Sequence, residues 1–171
     1  MKGRNARELP PGVRLAAFDV DGVFTDGRFY LSNDGVESKA FSTQDGFGIK
    51  QLLAADIHVA VISSRKSRAV EARMSELGVR HVVQGAADKI AAFDSILTSL
   101  QLSADDCVYV GDDVPDLPVL KRVGFAIAVA NAVDEVKEQC DFTTRAAGGY
   151  GAVREVCELL LGAHTSRRPT A

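Results

Sequence analysis

The sequence predicts an α/β protein: a doubly wound, Rossmann-like parallel sheet with helices on both faces and a β-hairpin after the first strand. Three observations predict it. Runs such as "LAAF", "HVAVIS", "CVYVG" and "FAIAVA" are apolar continuously rather than alternately, as in strands buried on both faces. Segments of helical period separate them, which requires parallel pairing through helical crossovers. Such crossovers are right-handed almost without exception, so the helices divide between two faces.

The first strand opens "LAAFDVDGVF", residues 15–24. It is followed by "GRFYLSNDGVESKAF", where two apolar-rich segments flank Asn33-Asp34-Gly35, a hairpin signal with Gly35 free to take positive φ. Helix "GIKQLLAAD" then leads to strand "IHVAVISS", helix "SRAVEARMSELG" to "RHVVQG", and helix "ADKIAAFDSILTSL" to "CVYVGDD". The segments "LPVLKRVG", "FAIAVA", "AVDEVKEQC" and "DFTT" come next, and the helix "AVREVCELLL" closes the pattern. No repeat or linker interrupts it. One domain over 1–171 is expected, with disordered polar ends at 1–12 and 163–171.

Bulk composition narrows the function. Of 171 residues, 46% are apolar and 25% charged, enough for a core without disulfides. A net charge of −3 draws the chain to neither nucleic acid nor anionic membrane, leaving a small molecule as the expected partner. Cys107, Cys140 and Cys157 have no C-x-x-C spacing, and Cys107 and Cys157 sit among apolar residues, which reads as buried reduced thiols. The three histidines are scattered, against a zinc site. The N-terminus lacks the apolar stretch of a signal peptide and no run is long enough to span a bilayer, so a cytoplasmic protein is expected.

In a doubly wound sheet, ligands bind beyond the carboxyl ends of the strands. The first strand delivers Asp19 and Asp21 there, and "VAVISS" delivers Ser63, Ser64 and Arg65. Asp88 and Lys89 follow "VVQG"; Asp112 and Asp113 follow "VYVG", with Asp116 one turn on. A calcium loop starting at Asp19 fails, because Phe24 and Tyr30 stand where glycine and glutamate belong. Capping explains one acid at each strand–helix junction but not five in two clusters. Close like charges repel unless a cation binds or a proton is shared, and magnesium fits a few carboxylates plus phosphate.

Two glycine-rich stretches carry weaker signals. "DGFGIKQ" has Gln51 where a dinucleotide fingerprint needs its third glycine, and only a glycine loop at a helix N-terminus is retained. "GGYGAVRE" is a second such loop, either an anion cradle or a plain turn.

Together these motifs resemble the haloacid dehalogenase (HAD) superfamily: "DVDGVFTDG", Ser63, Lys89 and "GDDVPD" match its four motifs in order. From about residue 13 to 161 the chain is similar to the 3-deoxy-D-manno-octulosonate 8-phosphate phosphatase family, through "DGVFTDGRFYLSNDGVESKAF", "VEARMSELGV", "VYVGDDVPDLPVL" and "GGYGAVREVCELLL". The resemblance implies hydrolysis of that sugar-acid phosphate to Kdo, the sugar of lipopolysaccharide, through an aspartyl-phosphate. Asp19 is then the nucleophile and Asp21 the general acid and base. Magnesium is held by Asp19, the backbone carbonyl of Asp21 and Asp112, while Ser63 and Lys89 meet the phosphoryl oxygens and Asp113 and Asp116 stand behind them. Ser42, Thr43, Gln44, Asp45, Gly46, Lys50, Arg65 and Arg73, with Asp21 and Lys89, are implied for substrate binding.

The chain departs from the family pattern at "ISSR" for "ITGR", and at Gln44, Lys50 and Tyr150 where arginines are usual. A sibling group acting on nine-carbon sialic-type acid phosphates resembles this chain closely and supplies the alternative substrate, but it carries Glu where Arg65 stands here, so Arg65 favours the eight-carbon acid. A non-enzymatic receiver domain is the rival of another class, but it needs a phosphoacceptor Asp after its third strand, and "VVQG" offers none. Hairpin and helices use up the stretches where superfamily members insert a cap. The open site and the apolar hairpin residues Phe29, Tyr30, Leu31, Val36 and Phe41 point to packing between subunits, and the resemblance implies a homotetramer.

Overall fold

The computed structural model describes residues 9, 10 and 12–165. Six parallel strands form one sheet: β1 (Leu15–Phe18), β4 (His58–Ser63), β5 (His81–Gln84), β6 (Cys107–Gly111), β7 (Phe125–Ala128) and β8 (Phe142–Thr143), in the order β5-β4-β1-β6-β7-β8. The chain grows outward from β1 to one edge, then returns to start again at β6. The order therefore reverses between β1 and β6, and there a doubly wound sheet opens its ligand crevice. All four residues of β1 are buried, as expected for a central strand covered on both faces.

Helices α1 (Thr43–Ala54), α2 (Arg68–Leu77) and α6 (Ala152–Thr165) pack together, and α3 (Lys89–Leu100) packs with the short α4 (Leu117–Leu120). Helix α5 (Asp134–Lys137) lies against β7. The hairpin is present, with β2 (Tyr30–Leu31) antiparallel to β3 (Glu37–Ser38) and Gly35 at φ +76° in the turn.

Three local expectations are corrected. Helix α1 starts earlier than the glycines suggest, at a cap on Ser42, and Gly46 and Gly48 lie inside it rather than in a loop. They are small because of their neighbours: a Cβ on Gly48 would sit 3.0 Å from Cys157 of α6, and one on Gly46 would strike Arg73 of α2. At the C-terminal end, helix α6 runs on to Thr165, past the expected boundary at 163. Near the other end, Leu9 packs against the core. The remaining residues of the two expected disordered ends, 1–8, 11 and 166–171, lie outside the described residues.

Candidate active site

Strand β1 delivers Asp19 beside β6: its N–H donates to the Val110 carbonyl at 2.9 Å, one residue beyond the strand. The chain then turns sharply, with the N–H groups of Val23, Phe24 and Thr25 all directed at the Val20 carbonyl. Gly22 is required twice over, by its φ of +88° and by space, because a Cβ there would fall 2.0 Å from Asp112 Oδ2. The buried Thr25 hydroxyl accepts from the N–H of Gly22 and of Gly27. Asn131, after β7, donates to the Gly22 carbonyl at 2.9 Å and accepts from Gly148 N–H at 2.6 Å. This loop is thus clamped from two sides.

Lys89 is the first residue of α3, whose cap Asp88 accepts from the N–H groups of Ile90 and Ala91. Its buried Nζ lies 2.8 Å from Asp19 Oδ1 and 2.7 Å from Asp116 Oδ1. Asp116, with no exposed surface, also accepts from the Tyr109 hydroxyl at 2.7 Å. Through Oδ2 it accepts from the N–H groups of Asp112 and Asp113. Asp113 itself is exposed and caps Val114 N–H, so the capping reading holds for that acid.

The charge in this cluster does not balance. Carboxylate oxygens of Asp19, Asp112 and Asp116 lie within 4.8 Å of one another, against a single lysine. Burial, and then the negative charge of Asp116, pushes the Asp19 carboxyl up to about 7 even though Lys89 opposes the shift. Burial, followed by Asp19, Asp116 and Asp113, pushes Asp112 up to about 8. On Lys89 burial works against the charged form, but Asp19 and Asp116 outweigh it and raise its pKa, so the ammonium persists. Asp112 Oδ1 is buried without a hydrogen-bond partner among the described residues. Excess negative charge with an unsatisfied oxygen is what a hard divalent cation relieves. Asp116 is already engaged by four donors, so Asp19 and Asp112 have the lone pairs left for an ion.

A cleft of about 230 Å³ opens over the cluster, lined among others by Asp19, Asp21, Ser63, Arg65, Lys89 and Asp112. Ser63 is buried at the end of β4, and its Oγ accepts from Arg65 N–H. The Arg65 guanidinium is 2.9 Å from Glu37 Oε2 and 4.3 Å above the Phe29 ring, so it rests on the hairpin.

The other residues implied for substrate binding do not line this cleft. Ser42 caps α1, and Thr43, Gln44 and Lys50 are exposed on that helix. Asp45 is buried and accepts from Arg154 N–H at the start of α6. Gly46 lies beneath Arg73, which bonds Glu76 and the Ser42 carbonyl. Within the chain, Asp45, Gly46 and Arg73 are used for joining α1 to α6 and α2. The last glycine loop offers little to an anion either: Gly148 N–H is taken by Asn131, Gly149 N–H by the Val23 carbonyl and Tyr150 N–H by the Ala147 carbonyl.

Four residues next to the cluster escape the sequence reading: Thr25, Lys39, Tyr109 and Asn131. Thr25 lies within "DVDGVFTDG" and Asn131 follows the strand "FAIAVA", where the strand-end rule applied to the other strands would have found it. Lys39 pairs with Asp21 from the hairpin, and nothing local in the sequence marks it.

Residues 78–155 match the family model of haloacid dehalogenase-like hydrolases. The 3-deoxy-D-manno-octulosonate 8-phosphate phosphatase KdsC of Escherichia coli K12 is 48% identical over 149 residues, covering 87% of this chain and 79% of the relative. Among solved structures, the phosphatase of that name from Yersinia pestis superposes with a TM-score of 0.89 at 43% identity, covering 91% of this chain and 84% of the other. The Moraxella catarrhalis phosphatase, solved with magnesium, phosphate and Kdo, gives 0.89 at 40% identity, covering 91% and 90%. Similarity of this extent and degree settles descent: the chain belongs to the 3-deoxy-D-manno-octulosonate 8-phosphate phosphatase family of haloacid dehalogenase-like hydrolases.

Proposed function

We propose that this chain is a magnesium-dependent phosphomonoesterase that hydrolyses 3-deoxy-D-manno-octulosonate 8-phosphate to Kdo and inorganic phosphate. The observation that carries the reading is the Asp19–Lys89–Asp116–Asp112 cluster at the reversal point of the sheet, with Asp21 on the same cleft. Family membership supplies the substrate.

Asp19 is the nucleophile: its carboxylate oxygen bonds to phosphorus as the bond from phosphorus to the sugar oxygen breaks. Asp21 gives its proton to that departing oxygen, then takes one from the water that hydrolyses the aspartyl-phosphate. Lys89 and the Ser63 hydroxyl meet the phosphoryl oxygens, while Asp116 holds Lys89 in place. Asp19, Asp112 and the backbone carbonyl of Asp21 would hold magnesium, which would supply the charge that lets a carboxylate approach a phosphate dianion. Arg65, at the mouth of the cleft, suits the sugar-acid carboxylate.

The working unit is a homotetramer in which a neighbour covers each cleft. Thr43, Gln44 and Lys50, exposed and away from the cleft of their own chain, are then available to a neighbouring one. The compartment is the cytoplasm, which suits the buried thiols of Cys107 and Cys157. No helix among the described residues is long and apolar enough to cross a membrane.

Phosphate release across a panel of eight- and nine-carbon sugar-acid phosphates tests the reading. The eight-carbon ester should have the highest kcat/KM. Chelation by EDTA should stop turnover and magnesium restore it, and Asp19→Asn should abolish it with the fold intact. Residual activity above about a hundredth in Asp19→Asn would remove Asp19 from its role.

A further inference from the structure

The hairpin is exposed along most of its length, yet the side chain of Lys39, which follows β3, has no exposed surface. Its Nζ is paired with Asp21 Oδ1 and lies 3.8 Å from Glu37 Oε1. The other oxygen of Glu37 holds Arg65. Its carboxyl is kept below the usual carboxylate range, chiefly by the nearby Ser67 hydroxyl and then by Arg65 and Lys39. A chain of alternating charge, Asp21–Lys39–Glu37–Arg65, therefore runs from one wall of the cleft through the hairpin to the other. Among the described residues, Lys39 is the cation paired with Asp21. Lys39 does not itself line the cleft.

We propose that Lys39 is a positioning residue for the reaction: by holding Oδ1 of Asp21 it leaves Oδ2 directed into the cleft as the oxygen that gives up and takes back the proton. The inference rests on the acid–base reading of Asp21. Asp21 sits in a turn with 22% of its side chain exposed, so without a tether its carboxyl would sample several rotamers. A general acid contributes only while it is within hydrogen-bond reach of the leaving oxygen. In that step the phosphorus–oxygen bond breaks, its electron pair goes to the leaving oxygen, and the Asp21 proton goes to the same atom. An alkoxide leaving group needs that proton. A nitrophenolate leaves without it.

The test compares kcat/KM, which reports steps up to release of the alcohol, for the sugar-acid phosphate and for p-nitrophenyl phosphate, with magnesium present. Lys39→Met, which keeps the length and loses the charge, should lower kcat/KM for the sugar ester by about 10- to 100-fold and for the nitrophenyl ester less than about threefold, a fraction of the 10²–10⁴ a general acid supplies. Lys39→Arg should recover part of the loss on the sugar ester, and it decides the matter alone if Lys39→Met does not fold. Equal losses on both esters, or none on the sugar ester, would mean that Lys39 only anchors the hairpin, and the proposal would fall. Asp21→Asn serves as the reference and should discriminate between the esters more strongly. If it does not, the acid–base role of Asp21 fails, and the inference about Lys39 with it.

Discussion

Asp116 has no access to solvent, and four donors converge on its carboxyl: Lys89, Tyr109 and two backbone N–H groups. Removing one partner of a buried pair costs more than the pair itself contributes, since the charge left behind is uncompensated. Asp116→Ala should therefore lower unfolding stability by about 3–5 kcal/mol, while Tyr109→Phe, which removes one neutral donor, should cost about 1 kcal/mol. Urea unfolding in EDTA measures both without a contribution from bound metal; equal losses would show that Asp116 is not held as a paired anion. Most of this cluster was legible in the sequence, and Tyr109 was not. Asp19 and Asp112 each follow a strand directly, Ser63 ends one and Lys89 opens the helix after another, which is where a doubly wound sheet binds ligands. Tyr109 lies inside "CVYVG" and reads there as one more core residue. Only the fold sets its hydroxyl against Asp116.

At the scale of elements, the seam between α1 and α6 is where sequence reading went astray. Glycines commonly mark loops, so "DGFG" read as one, but here they let two helices approach closely. The resemblance implies Asp45 for substrate binding; within this chain it is buried against the start of α6, accepting from Arg154 N–H at 2.8 Å. Burial raises its carboxyl above the ordinary value, outweighing the N–H groups of Arg154 and Gly151 and the charge of Arg73. The folded state therefore binds this proton more tightly than the unfolded chain. Stability from this group falls as pH rises from the unfolded carboxyl value of about 4 through the higher folded one. Asp45→Asn cannot lose a proton, so the difference in Tm, variant minus parent, should grow toward the variant's favour as pH rises above about 4. A difference independent of pH would mean that Asp45 titrates normally in the folded protein.

Across the whole molecule, the strand order and the place of the crevice followed from alternating helices and buried strands, because right-handed crossovers leave few alternatives. What one chain's sequence does not specify is what covers its hairpin. Each hairpin strand has only two residues, and a two-stranded ribbon is marginal in water without an apolar face to bury. Yet Phe29, Tyr30, Leu31 and Val36 are 44%, 65%, 64% and 62% exposed, a concentration of apolar surface on one short ribbon of the kind that marks an interface. The same hairpin reaches the cleft through Lys39 and Arg65, so in the proposed tetramer subunit packing and catalysis would be mechanically joined. Light scattering at micromolar concentration should give about four times the 18.2 kDa of one chain. Tyr30→Glu, at a position 65% exposed and opposite Ser38 in the hairpin, places a charge in the contact without lining the cleft. It should shift the mass toward a single chain and lower kcat/KM for the sugar ester at least tenfold, because the hairpin would no longer be held. A fully active species of 18.2 kDa would overturn the tetramer and confine the hairpin to its own subunit.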